Sequence, residues 1–307
     1  MPGRLQVPTT TEPTPQTGLL PETGSSESCC STFYEQDWVR NLAEDIFHPG
    51  GEDLTRRTIA AMHLPESARI ADLGCGTGAT AVLLAGDYGF QVSAVDISAV
   101  NIERAVKKAK TASVSVCFSQ SDVQHLPYAE DELDGLIAEC TFSLFKQQSA
   151  VLAEIRRVLR PGGKLAITDM ATGASLPDDI AAVRAPWTCL AGAVDQETYV
   201  QMFETAGFKI DAFKDESAAL TSLVGMLKRK LLLLGAGVIM HNGSKHSPGF
   251  PDVDLAGIRF WLDRFETEVR NGTIRYLRFN LSLAPDPVTP SLIHNRSQLL
   301  TQFEQLQ

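Results

Sequence analysis

The chain has no apolar run long enough to cross a membrane, a shortage of basic residues and no ordered cysteine pattern, and each lack removes a class of function. The longest apolar candidate, residues 231–240, falls short of the roughly 18 residues that a membrane-spanning helix requires and follows Lys228-Arg229-Lys230. It reads as a buried helix, and no membrane partner is expected. Basic residues number 27 against 37 acidic ones, a net charge of -10, which opposes binding to a phosphate backbone, so no nucleic-acid partner is expected either. Six cysteines without regular spacing suit neither a disulfide framework nor a zinc site. No metal is expected. The N-terminus lacks the basic-then-apolar plan of a secretory signal, and the expected compartment is a reducing cytoplasm.

What is present is a glycine-spaced turn. Ile70-Ala71-Asp72-Leu73-Gly74-Cys75-Gly76-Thr77-Gly78 is an apolar run that ends in an acid and then a sharp turn. A second apolar run, 91–95, closes on Asp96 about 20 residues further on. The pair reads as strand, tight turn and helix, then a strand whose carboxyl-end acid can hold a ribose. The order is Asp-x-Gly-x-Gly-x-Gly, not the Gly-x-Gly-x-x-Gly that seats a pyrophosphate on a helix N-terminus. Such a turn suits a cofactor without phosphate.

Further along, Ser121-Asp122-Val123 follows the short apolar run 114–118 and puts a carboxylate at a third strand end, where it can accept a hydrogen bond from an exocyclic amine. Residues 152–159 read as a helix ending in Arg160-Pro161-Gly162-Gly163, and 164–169 as the next strand. The alternation of strands and helices over 69–208 calls for an α/β fold with a mostly parallel sheet and helices on both faces, because parallel pairing requires crossover connections.

These elements, in this order over residues 53–208, resemble a class I S-adenosylmethionine-dependent methyltransferase. The resemblance implies a Rossmann-like, seven-stranded sheet and S-adenosyl-L-methionine as cofactor. It places Asp72, Gly74, Cys75, Gly76 and Gly78 under the methionine part, Asp96 with Ile97 at the ribose, and Asp122 with Val123 at the adenine. Cys140 completes the cofactor set, since the segment Cys140-Thr141-Phe142-Ser143-Leu144-Phe145 after the fourth strand faces the methyl donor in this fold.

The chain then divides as follows. Residues 1–28, rich in Pro, Thr, Gly and Ser, form a tail expected to be disordered. Residues 29–63 form an N-terminal lid or helical segment, with aromatic and acidic residues over 33–47, a break at His48-Pro49-Gly50-Gly51 and a helix over 53–63. Residues 64–216 are the cofactor-binding core, ending in a strand over 209–216. A mostly helical insertion, 217–270, interrupts what would be a short hairpin before the last strand, 271–284. The resemblance makes that strand antiparallel and brings the insertion out at the carboxyl edge of the sheet, as a substrate lid; a surface decoration or dimer interface is the other reading. The tail 285–307 offers no mechanism, and the oligomeric state is not legible.

Methyl transfer is an in-line displacement at a sulfonium carbon, so the protein contributes positioning and a soft or deprotonated nucleophile. The segment Trp187-Thr188-Cys189-Leu190-Ala191-Gly192-Ala193, with the 154–169 pattern, is similar to the arsenite methyltransferase branch. There a cysteine matching Cys189 is one of the thiolates that hold trivalent arsenic, and an upstream pair resembles Cys29-Cys30. Soft thiolates suit a soft metalloid. Two departures stand: Ala79-Thr80-Ala81 occupies the place of a further arsenic-binding cysteine, and no cysteine follows Cys189. The acceptor candidates are therefore Cys140 and Cys189; Cys75 is expected to be a packing residue and Cys117 a core residue of an apolar strand.

Other candidates are His48 on the lid segment, His125 in a loop, and Tyr34 and Trp38, which would cover the sulfonium by cation-π contact. Residues 33–40 with 47–51 also resemble an uncharacterised bacterial methyltransferase group. The expected function is methyl transfer from S-adenosylmethionine to a small molecule, arsenite or another thiol-bound metalloid. The alternatives are C- or O-methylation of an organic metabolite and a non-catalytic cofactor-binding protein.

Overall fold

The structure is a computed structural model of the chain, and it describes residues 48–173, 176–181, 189–190, 192–240 and 255–284. In chain order the elements are α1 (Gly51–Ala60), β1 (Arg69–Leu73), α2 (Ala79–Asp87), β2 (Gln91–Asp96), α3 (Ala99–Ala112), β3 (Val116–Gln120), β4 (Leu133–Glu139), α4 (Gln148–Val158), β5 (Leu159–Thr172), α5 (Gln196–Thr205), β6 (Phe208–Asp215), α6 (Ser217–Met240), α7 (Leu255–Arg270) and β7 (Ile274–Leu283). A single helical turn, Asp178–Ala181, lies between β5 and α5.

The seven strands form one sheet in the order β3-β2-β1-β4-β5-β7-β6. The first five pair in parallel, and β7 lies antiparallel between β5 and β6. This is the expected fold. The reversal of strand order at β1 and β4 opens a crevice at the carboxyl ends of those strands, where ligands bind in sheets of this kind.

The central strands are apolar on both faces because helices cover both. In β4, Leu133, Leu136, Ile137 and Ala138 are all buried. On one side Phe142, Tyr199, Phe203 and Phe279 stack at centroid distances of 5.2–6.1 Å. Helix starts follow local chemistry: Ser98 accepts from Asn101 N to cap α3, and Asp195 accepts from Thr198 N to cap α5.

Several boundaries shift. The helix expected over 53–63 begins at Gly51, and the strand expected at 164–169 begins at Leu159, whose register partner is Leu133. Two expectations are corrected. Cys117 is exposed, not core, because β3 is the edge strand and its apolar face is only half covered. The run 231–240 is helical, but while Leu231 is buried, Leu232 and Leu233 are 57% and 71% exposed, so the helix is buried on one face only there. Among the described residues no helix is long and apolar enough to cross a membrane. The tails 1–28 and 285–307, and the 29–47 part of the lid segment, lie outside the described residues.

Candidate active site

The glycine turn joins β1 to α2 and is tied to the neighbouring strand. Gly74 N and Cys75 N donate to Val95 O at 2.8 and 3.0 Å, and Gly76 N donates to Asp96 Oδ2 at 2.8 Å. Asp96 Oδ1 accepts from Ser98 N at 2.8 Å. The carboxylate is thus fixed beside the turn, on the rim of the crevice. Gly76 has φ +51°, and a Cβ placed there would meet nothing within 4 Å. That open face is where a ligand can approach the backbone.

Three buried carboxylates surround the turn. Asp72 and Asp96 are 3% and 8% exposed, and the side chain of Glu139, at the end of β4, is 4% exposed. Asp72 Oδ2 has no hydrogen-bond partner. Burial pushes the Asp72 carboxyl well above its ordinary range, and the charges of Glu139 and Asp96 push it further. Among the described residues no basic side chain pairs with Asp72. An orphaned carboxylate oxygen beside an open glycine face suits a cationic ligand. Ile97, 59% exposed next to Asp96, offers an apolar surface for a flat ring. These features fit S-adenosylmethionine.

Asp122 stands exposed in the loop after β3, where its Oδ1 accepts from Gln124 N at 2.9 Å, and Val123 is buried beneath it. His125 is exposed in the same loop and its N donates to Asp122 O. Cys75 turns its thiol into the core with Ile70, Ala81 and Ile137, where burial pushes it up. Its role as a packing side chain is that of the sequence expectation, and only its backbone lies in the turn.

Past β4 the chain folds down onto the turn: a Cβ on Gly74 would lie 2.3 Å from Thr141 Oγ1. Cys140 sits at φ +53°, its N donating to Thr168 O at 2.6 Å. This places Cys140 Sγ 3.0 Å from Cys189 Sγ, while Cys189 Sγ donates to Cys140 O at 3.2 Å. The hydrogen bond to Cys189 and then burial hold the Cys140 thiol well above its ordinary value, and the charges of Asp169 and Glu139 add to this. The Cys140 side of the pair thus favours its protonated form. The structure therefore brings the two candidate acceptor cysteines together.

Cys189 belongs to the same buried apolar cluster as Leu220 and Val224 of α6 and Leu262 and Phe265 of α7, and Cys140 packs against that cluster. Behind it Asp169 accepts from Ser143 N and Ser143 Oγ, each at 2.7 Å, and from Met170 N. Burial still pushes Asp169 up to about 6.

Glu139 and Asp169 were not among the sequence candidates. Glu139 closes an apolar strand with an acid, as Asp96 does, and that signal would have found it; Asp169 lies three residues before the end of β5. Glu139 accepts from Thr55 Oγ1 at 3.0 Å and Thr80 Oγ1 at 2.6 Å, and His48 Nε2 is 3.7 Å from its Oε2. Cys29, Cys30, Tyr34, Trp38, Trp187 and Thr188 lie outside the described residues.

A family described as a methyltransferase domain matches residues 65–207. The chain is 30% identical over 185 residues to methyltransferase GfsG of Streptomyces halstedii, covering 59% of this chain and 66% of that protein. It is 32% identical over 209 residues to an arsenite methyltransferase of Halobacterium salinarum, covering 63% of this chain and 53% of that protein. It thus spans about two thirds of the first relative's length and about half of the second's. Among solved structures, phosphoethanolamine N-methyltransferase 2 of Haemonchus contortus, in complex with S-adenosyl-L-methionine, has a similar fold: TM-score 0.67 at 17% identity, over 85% of this chain and 58% of that one.

Proposed function

The chain belongs to the class I S-adenosylmethionine-dependent methyltransferases, and from that premise we propose that it methylates a small acceptor seated on the Cys140 and Cys189 thiols, with trivalent arsenic as the acceptor that pair suits best. The observation that carries this reading is the 3.0 Å separation of the two sulfurs at the carboxyl edge of the sheet. Trivalent arsenic is soft and takes thiol ligands. Condensation of arsenous acid with the dithiol forms two arsenic–sulfur bonds, and each thiol proton leaves with a hydroxyl group as water. Neutral thiols are therefore competent for capture.

When bound, the cofactor supplies an electrophilic methyl carbon on a sulfonium. The protein's part is to hold both reactants in line. In this reading Asp96 accepts from ribose hydroxyls, Asp122 accepts from the adenine amine, and the open face of Gly76 admits the methionine part. The thiols fix the acceptor with its lone pair available, so no general base is required. Helices α6 and α7 serve as a lid that excludes water from the transfer. A reducing, cytoplasmic setting keeps both thiols available, and a net charge of -10 disfavours a nucleic-acid substrate.

A second reading, C- or O-methylation of an organic metabolite, is favoured by one specific observation. The dithiol belongs to a buried cluster that includes leucines, a valine and Phe265, surroundings suited to an apolar acceptor. The match to the arsenite branch also lacks the cysteine that would follow the turn, where Ala79-Thr80-Ala81 stands.

The deciding assay uses labelled S-adenosylmethionine with arsenite plus a thiol reductant in one arm and a panel of organic metabolites in the other, with products identified by mass spectrometry. Methylated arsenic that disappears in Cys189→Ser supports the metalloid reading. Label on an organic acceptor alone replaces it. Tight cofactor binding with no product in either arm would point to a non-catalytic binding protein.

A further inference from the structure

The helical insertion is charged oppositely to the rest of the chain. Residues 217–270 carry seven basic against five acidic residues, whereas the whole chain has a net charge of -10. No acidic residue stands between Glu216 and Asp252, a stretch that holds Lys228, Arg229, Lys230 and Lys245. The positive charge is therefore concentrated on α6 and the residues that follow it.

The two helices of the insertion run antiparallel, away from the sheet. Both are rooted at β7: Ser217 Oγ accepts from Tyr276 N at 3.0 Å, and Glu268 O accepts from Thr273 N, ahead of β7, at 3.0 Å. Midway along α6, Lys228 Nζ donates to Glu266 Oε2 at 2.6 Å and also meets Asp263. One turn further from the root, Leu232 of α6 and Phe260 of α7 reach the same level. Leu232, Leu233 and Phe260 are all more than half exposed, while Leu231 and Leu262 beside them are buried.

Helix period places basic groups next to these apolar ones. Arg229, Leu232 and Leu233 follow the i, i+3, i+4 spacing of one helix face, and Arg259 precedes Phe260. Both arginines are exposed. The outer end lies roughly 23 Å along α6 from Ser217, at about 1.5 Å per residue. That is more than twice the screening length of about 8 Å at physiological salt, so acidic residues around the sheet are largely screened from it. Leucines and a phenylalanine at the end of a hairpin make a protrusion, not a pocket. Projecting apolar groups flanked by arginines match a fluid anionic surface into which both can settle.

We infer that the outer end of the α6–α7 hairpin docks on an anionic phospholipid surface, with Leu232, Leu233 and Phe260 entering the headgroup–acyl boundary and Arg229 and Arg259 meeting lipid phosphates. Crossing a bilayer and lying on one are different demands. The first needs about 20 consecutive apolar residues, and the expectation of no membrane partner came from that demand alone; the second needs only an exposed apolar patch with basic residues beside it.

The test mixes the full-length protein with vesicles of phosphatidylcholine and phosphatidylserine, or of phosphatidylcholine alone, and reads the bound fraction by sedimentation at increasing salt. Binding to the mixed vesicles should exceed that to phosphatidylcholine by about tenfold or more, at about fivefold for each basic residue near the lipid, and should fall as salt rises. Arg229→Gln combined with Arg259→Gln should weaken it by about twenty- to thirtyfold on the same scale. Leu232→Ser combined with Leu233→Ser should weaken it by about tenfold or more, because the apolar anchor is lost. All four side chains are exposed, and circular dichroism checks that the variants fold. Equal binding to both kinds of vesicle, binding to neither, or unaltered binding in both double variants would overturn the inference. If a variant fails to fold, the comparison of the two vesicles by the wild-type protein still decides. Sedimentation velocity without lipid supplies the last arm: self-association that the leucine variant abolishes, with no vesicle binding, would assign the patch to a second copy of the chain and overturn docking on lipid.

Discussion

Cys140 and Cys189, 49 residues apart in the chain, hold their sulfurs 3.0 Å apart at the end of β4. The contact depends on the left-handed backbone of Cys140, φ +53°, a conformation that non-glycine residues rarely adopt outside sites where the surroundings enforce it. Here the enforcement comes from the Cys140 N bond to Thr168 O and from Ser143, anchored on Asp169. Replacing either sulfur removes one of two acceptor ligands. Cys140→Ser and Cys189→Ser should each lower arsenite methylation by about a hundredfold, the scale of a misplaced reactant. Cofactor affinity should stay near that of the wild type. Full activity in both variants would end the dithiol reading, and calorimetry with S-adenosylhomocysteine supplies the control.

Asp96 makes the second prediction. Its two oxygens receive Gly76 N and Ser98 N, so the carboxylate both shapes the turn and faces the crevice. Asp96→Ala should cost about 1.5 to 3 kcal/mol of cofactor affinity, the value of a hydrogen bond to a charged group. Titration calorimetry reads this directly. Unchanged affinity would overturn the place given to the ribose.

Two glycines of the same turn should separate folding from binding. A Cβ on Gly78, at φ +77°, would lie 2.8 Å from Ala105 Cβ, in a packed interface of α2 with α3. Gly78→Ala should therefore destabilise the fold by about 1 to 3 kcal/mol. Gly76 faces open space, so Gly76→Ala bears only the left-handed backbone cost of about 1 to 2 kcal/mol. Its larger effect should be on cofactor binding, because the methyl group enters the ligand's space. Urea unfolding and calorimetry on the two variants give the contrast, and similar binding losses at matched stability would contradict it.

The fold was legible because its signals are local. Acids at strand ends, the glycine turn and period-two apolar runs each follow from backbone geometry within a few residues. The edge position of β3 is not local, and so Cys117 was misread: the same apolar run is buried in mid-sheet and half exposed at an edge. The exposed Leu232 and Leu233 are misread for the same reason, since the composition of a helix does not say which side its neighbours cover. The cysteine pair was proposed from resemblance, but its meeting depends on the fold of the segment after β4. Glu139 is marked in the sequence only by its place at a strand end, and its partners, Thr55 and Thr80, lie 84 and 59 residues away.

Asp169 gives a prediction in pH. Burial pushes its carboxyl up to about 6 from an ordinary 3.8, even though Ser143 and Met170 donate to it. The folded state therefore binds this proton more tightly than the unfolded state does. Stability must fall as pH rises from about 4 to about 6, because over that window unfolding releases the proton; the loss amounts to about 3 kcal/mol at about 1.4 kcal/mol per unit. Above pH 6 the penalty of a buried charge is fully present, and below pH 4 it is absent. Asp169→Asn removes the titration and leaves one backbone donor poorly matched, a pH-independent cost of about 1 to 3 kcal/mol. The readout is thus the slope: relative to wild type, the variant should gain about 3 kcal/mol between pH 4 and pH 7 in urea unfolding. Parallel pH profiles would show that Asp169 is ionised at its ordinary value, with the Ser143 anchor compensating its burial.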